Sequence, residues 1–227
     1  MSGAGAEDPA GTAPQTDVFV LVEHPLPWPP DVADDPLLGE LARIATAHAE
    51  GRSVRLQSVA VAADAVFRRV LVLSASAPFA GYGRVEGVGT VDELPDVVRT
   101  LVGLDVPPPA DLAVTDVLVC THGSRDRCCG SLGTRLWREA GDAVGARVWR
   151  TSHLGGHRFA PTAITFPDGN YWAHLDPDVL AGIVSRSLPA PVASLHLRGC
   201  AAFPPDVQVA ERAALAADGW SRLGRSA

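Results

Sequence analysis

From Val114 to Thr151 the chain reads as an apolar strand, a loop, a helix and a second strand, and no other feature constrains the fold as much. The strand covers Val114–Val119, the loop 120–130, the helix 131–143 and the second strand 147–151. Two strands joined through a helix lie parallel, and a parallel pair needs helices layered over it. In such layers, functional sites gather at the carboxyl ends of the strands, where loops converge on one edge. Whatever follows Val119 and Thr151 is therefore expected to meet.

Downstream, a loop through 153–160 leads to a strand at 162–166. Asp168-Gly169 makes a hairpin turn, a strand follows at 170–174, and a helix runs over 176–187. That order matches the βαββα core of the thioredoxin fold. A strand near 193–198 and a helix at 205–217 close the chain. Upstream, Asp17–Glu23 (DVFVLVE) alternates into the turn-rich HPLPWPPD and reads as a strand. A helix is predicted from Leu37 to Ala49, with strands near Arg55–Val59 and Val70–Ser74. Residues 91–104 read as a helix whose first turn must hold Pro95. Val106 to Asp111 (VPPPAD) is a stiff linker. The expected plan is α/β: a disordered leader at 1–16, an N-terminal α/β subdomain at 17–107, and a thioredoxin-like domain at 108–227.

The net charge of −7 argues against a nucleic-acid binder. No run approaches the roughly 18 apolar residues that span a bilayer, and Met1–Thr16 lacks the basic start and apolar centre of a secretory signal. A cytoplasmic protein is expected. Three of the four cysteines, Cys120, Cys128 and Cys129, fall within ten residues, and the fourth is Cys200. In a large chain without a secretory signal this crowding points to metal or redox chemistry rather than a disulfide framework.

Cys120 ends the first parallel strand and opens CTHGSRDRCCG; His153 and His157 follow the second strand in SHLGGHR. Two thiolates and two imidazoles suit a [2Fe–2S] cluster, imidazole on one iron raising the potential. Two ferric ions, two sulfides, two thiolates and two neutral imidazoles carry no net charge, so an added electron meets less repulsion than at a four-thiolate centre. The following helix turns its positive end toward the loop. Cys129 is preferred to Cys128 as the second thiolate, since Cys120-x8-Cys129 leaves the loop room to wrap a cluster. Taken singly, each pair is weak: His-x3-His also fits zinc. Two alternatives therefore stand beside the cluster. One is a zinc-stabilised binding module on the same four residues; the other is a thioredoxin-like thiol oxidoreductase using Cys128 or Cys129 at a helix start.

His122 is expected to be structural, Arg125 and Asp126 to form a local ion pair, and Cys200 to serve as a small apolar residue. Asp126 or a backbone carbonyl could also accept a proton from a ligand imidazole.

The blocks LVEHPLPW (21–28), LVCTHGSRDRCCG (118–130), WRTSHLGGHRFAPT (149–162) and the tail RGC…PPDVQVAE (198–211) together resemble the sucrase/ferredoxin-like family. The resemblance implies a thioredoxin-like ferredoxin whose [2Fe–2S] cluster sits on Cys120, Cys129, His153 and His157. It implies an electron carrier rather than a sugar hydrolase. Ala160-Pro161-Thr162 departs from the family's usual Ala-Ala-Asn.

Residues 120–160 hold seven Arg against three acids, a local charge of +4 in an acidic chain. Such a collar would steer acidic redox partners of the flavodoxin or ferredoxin type, or a reductase. Electron transfer at two imidazoles is further expected to be coupled to a proton.

Overall fold

The computed structural model describes residues 7–141 and 145–223. Its strands are β1 (Val18–Pro25), β2 (Val54–Val61), β3 (Arg68–Ala75), β4 (Tyr82–Gly89), β5 (Asp116–Cys120), β6 (Arg147–Thr151), β7 (Ala163–Phe166), β8 (Asn170–Trp172) and β9 (Leu197–Cys200). Its helices are α1 (Pro36–His48), α2 (Leu94–Val102), α3 (Thr134–Ala140), α4 (Pro177–Val184), α5 (Ala190–His196) and α6 (Pro205–Asp218). The fold is mixed α/β around a nine-stranded sheet ordered β4-β3-β1-β2-β6-β5-β7-β8-β9.

Local chemistry sets the helix starts. The Asp35 carboxylate accepts the Leu38 N–H at 3.0 Å ahead of Pro36, and Asp176 accepts the Val179 N–H at 2.8 Å ahead of Pro177. Thr90 and Glu93 cap the 3-10 turn before α2, whose first turn accommodates Pro95.

Strand alternation divides the core. Val18, Val20 and Val22 of β1 pack with Leu38, Leu41 and Ala45 of α1 and with Val98 of α2. Val117 and Val119 of β5 face Leu136 and Leu180. On the opposite side Phe19, Leu21, Leu118, Cys120, Ile164 and Phe166 form a second surface. Each fully buried Leu or Phe contributes about 1.5–3 kcal/mol. Cys120 thus follows Leu118 onto one face by the period of two.

Strands β1–β4 come from residues 17–107 and β5–β9 from 108 onward. The two sets meet where β2 pairs antiparallel with β6 at Val59 and Thr151. Polar groups reinforce the seam: Thr151 Oγ1 donates to Ser58 O at 3.0 Å, and Ser152 Oγ donates to Gln57 Oε1 at 2.7 Å.

Four features depart from the sequence expectations. Strand β4 was not expected, because Gly83, Gly87 and Gly89 break up its alternation. The strand near 193–198 is instead helix α5 followed by β9; Pro191 at the helix start fixes a φ suited to its first turn. The helix expected at 131–143 begins earlier, with a π-helical turn over Cys129–Gly133, and residues 142 and 143 lie outside the described residues.

Residues 9–16, expected to belong to a disordered leader, are packed. Gly11 N donates to Arg198 O at 2.8 Å and Thr16 N to Ala201 O at 2.8 Å. The buried Gln208 amide accepts from Ala13 N at 3.1 Å and donates to Ala13 O at 3.0 Å. Distant backbone and amide partners hold this segment, and composition does not reveal them. Residues 1–6 of the expected leader lie outside the described residues.

Candidate metal centre

Parallel pairing of β5 with β6 sets Cys120 opposite Thr151, so the two loops leave neighbouring strand ends. Loop 120–130 returns through a π-helical turn that brings Cys129 back beside Cys120. At Gly133 a Cβ would fall 1.8 Å from Cys120 O, so only glycine allows this turn to press against the strand end. Asp126 Oδ1 caps the turn, accepting from Cys128 N at 2.8 Å and Cys129 N at 3.2 Å. Asp126 therefore acts as a backbone cap, and among the described residues no ion pair joins it to Arg125, contrary to the sequence expectation.

The result is a compact donor group. Cys120 Sγ and Cys129 Sγ each lie 3.9 Å from His153 Nδ1. The three potential ligand atoms fall within 4.8 Å of one another. Both thiols are 1% exposed, whereas Cys128 is on the surface. His157 stands at the start of the 3-10 turn His157–Phe159, exposed, with its ring centroid 6.2 Å from that of His153. The structure thus gathers three of the four expected ligands tightly, with the fourth nearby on the same loop.

The two thiols have opposite acid–base behaviour. Hydrogen bonding from Cys129, then from His153 and nearby backbone, holds Cys120 well below the usual thiol range. Sharing with Cys120, together with burial, pushes Cys129 far up. One thiolate is favoured in this pocket and a second is not, until a cation offsets the added charge. A raised, buried Cys129 is also the reverse of what a thiol nucleophile needs.

The N-terminal half closes over this site. His153 N donates to His122 Nδ1 at 3.1 Å, which leaves the proton on Nε2 to donate to Pro29 O at 2.9 Å. His122 is thus a neutral bridge between loops, and burial lowers its pKa. Trp28, 2% exposed, sets its ring edge-on to His122 at 5.7 Å, and Ser124 Oγ donates to Trp28 O at 2.5 Å. From β2, Arg55 Nη2 donates to His153 O at 3.0 Å.

Residues 9–199 match the sucrase/ferredoxin-like family, which is most of the chain. The chain belongs to the sucrase/ferredoxin-like family. One curated relative, "Altered inheritance of mitochondria protein 32" of Meyerozyma guilliermondii, is 31% identical over 87 residues. The match covers 33% of this chain, and the chain spans about a third of that relative's length (31%). No solved structure matches the chain. Among the described residues, no helix is long and apolar enough to cross a membrane.

Sequence reasoning left Trp28, Arg55 and Arg198 out of the site. Trp28 lies within the LVEHPLPW block and so had a signal. Arg198 likewise opens the RGC…PPDVQVAE block, whereas Arg55 had no signal, since its partner is the backbone carbonyl of His153.

Proposed function

We propose that this family member is a one-electron carrier holding a [2Fe–2S] cluster on Cys120, Cys129, His153 and His157. One observation carries the reading: two buried thiols and an imidazole lie within 4.8 Å at adjoining ends of parallel strands, with a second imidazole four residues on. When bound, such a cluster takes up and releases one electron. The donor set fits it, because a cationic centre would let Cys129 ionise beside Cys120. Buried Cys120 and Cys129 exclude water on one side, while exposed His157 turns the imidazole side toward a partner. Electron uptake there would be coupled to a proton.

We read β5-α3-β6-β7-β8-α4 as a thioredoxin-like core, supported by the neighbour order β6-β5-β7-β8. Residues 17–107 and 108–227 are proposed as two subdomains, supported by the stretch 103–115, which holds no helix or strand. A cytoplasmic location is likewise proposed. The partner is proposed to be an acidic redox protein of flavodoxin or ferredoxin type, or a reductase. Beside His153 a cavity of about 220 Å³ is lined by Arg55 and Arg125 against the one carboxylate of Asp31, and an acidic side chain would find a net positive lining there.

The 3.9 Å separations also suit a second reading, a single zinc ion. Tetrahedral bonds of about 2.3 Å to sulfur and 2.0–2.1 Å to nitrogen set such ligands about 3.6 Å apart. Purification without oxygen decides between them. Brown protein with equal iron and sulfide, and an EPR signal on reduction averaging below the free-electron value, supports the cluster. Colourless protein with stoichiometric zinc overturns it.

A further inference from the structure

Arg198, on β9, is 1% exposed, and among the described residues it has no carboxylate partner. Its guanidinium bonds only to neutral acceptors: Thr12 Oγ1 at 3.0 Å, Thr12 O at 2.6 Å and Gly155 O at 3.0 Å. The rings of Tyr171 and Phe159 flank it at 5.2 and 5.6 Å. A buried cation without a counter-charge is costly unless something anionic lies close. Gly155 and Gly156 separate the two histidines, and a Cβ on Gly156 would fall 2.7 Å from Arg198 Cζ. The guanidinium therefore occupies the space a side chain would take between His153 and His157. Burial pulls its pKa down to about 10, and the neighbouring Arg158 and Arg55 add to that shift while Tyr171 opposes it. It remains charged at neutral pH.

At the start of the same turn, Arg55 donates to His153 O. Its Nε is buried with no hydrogen-bond partner, and among the described residues it too lacks an ion pair.

We propose that Arg198, with Arg55, is a positioning residue that grips the His153–His157 turn and holds fixed positive charge beside the centre, favouring its reduced form. This rests on the cluster reading above. The step concerned is uptake of one electron from an external one-electron donor. The arginines neither gain nor lose a proton in it; their charge offsets the electron's. Preorganised charge of this kind is effective because it requires no rearrangement at the moment of transfer.

The test is redox titration of purified full-length wild type, Arg198→Gln and Arg198→Lys, with iron and sulfide content measured alongside. In Arg198→Gln the reduction equilibrium is expected to fall tenfold or more, equivalent to 59 mV for one electron, with iron retained. Arg198→Lys, which keeps the charge, should stay nearer wild type. If Arg198→Gln does not fold, Arg55→Gln with the same readout decides. Loaded variants with wild-type potentials overturn this proposal alone. Wild type without iron and sulfide overturns the cluster reading together with it.

Discussion

The two glycines between the histidines provide a matched pair of perturbations. Both adopt left-handed backbone, with φ of +83° at Gly155 and +73° at Gly156. Alanine at either should cost about 1–2 kcal/mol for that conformation. Their surroundings differ. A Cβ on Gly155 meets Pro14 Cγ at 3.6 Å, an ordinary contact, while one on Gly156 meets Cζ, Nη2 and Nη1 of Arg198 at 2.7, 2.8 and 2.9 Å. The guanidinium cannot yield freely, because Thr12 and Gly155 fix it. Displacing it forfeits at least one charged hydrogen bond, about 1.5–3 kcal/mol.

Gly156→Ala should therefore exceed Gly155→Ala by about 2 kcal/mol. For a chain of this length that separates the melting temperatures by roughly 4–8 °C. Thermal unfolding followed by near-ultraviolet circular dichroism in one buffer measures it. In an Arg198→Met background the obstruction is gone, and Gly156→Ala should cost no more than Gly155→Ala, a coupling read from the double-mutant cycle. Equal melting of the two glycine variants, or an undiminished Gly156 effect without the arginine, would refute the packing argument.

Three further expectations follow from the site and its surroundings. Cys129→Ser should lose most bound metal while Cys128→Ser keeps it, since only Cys129 reaches His153; metal analysis of both proteins checks this. Replacing the exposed Arg125 and Arg127 with Ala should slow reduction by an acidic donor at low salt and matter little at high salt, where screening shortens to a few ångströms; stopped-flow rates that do not change at low salt remove the docking idea. His24 and His174 titrate below the ordinary histidine value, chiefly because burial disfavours the charged form. The unfolded chain therefore binds protons that the fold does not, so stability is complete above about pH 6.5 and falls as acid is added below it. His174→Asn, which tolerates the left-handed φ of 52°, should lessen the drop in urea midpoint between about pH 7.5 and 5; an identical drop in both proteins would count against this origin.

How much of this was legible beforehand depends on the range of the forces involved. Runs such as Val114–Val119 and Arg147–Thr151 announce their strands locally, and a parallel pair forces the following loops together; the register of Cys120 with Thr151 realises that constraint. Preference for Cys129 over Cys128 rested on loop length, on its place beside Gly130 and on the family resemblance, and burial separates the two in the same direction. Strand β4 escaped because glycines replace its apolar positions. Helix α5 escaped because Pro191 as a starter outweighs an alternating Val192–Leu195 segment. Residues 9–16 and Arg198 have their contacts hidden for a shared reason: each is held by the other, across 186 residues, through the hydroxyl and the backbone oxygen of Thr12.

If the chain is the electron carrier proposed above, residues 17–107 do more than pack. A carrier exchanges electrons readily when its centre barely changes shape between charge states, and loops alone are too mobile to guarantee that. Here loop 120–130 is tied to the segment after β1 through His122 to Pro29 and Ser124 to Trp28. Loop 152–157 is tied to β2 through Arg55 to His153, and through Ser152 to Gln57 and Ser58. β9 and residues 9–16 hold the same loop through Arg198. The cysteine loop and the histidine loop each leave one half of the sheet, yet their anchors come largely from the other half and from the N-terminal segment. The β2–β6 seam is thus what converts two flexible strand ends into one fixed donor group.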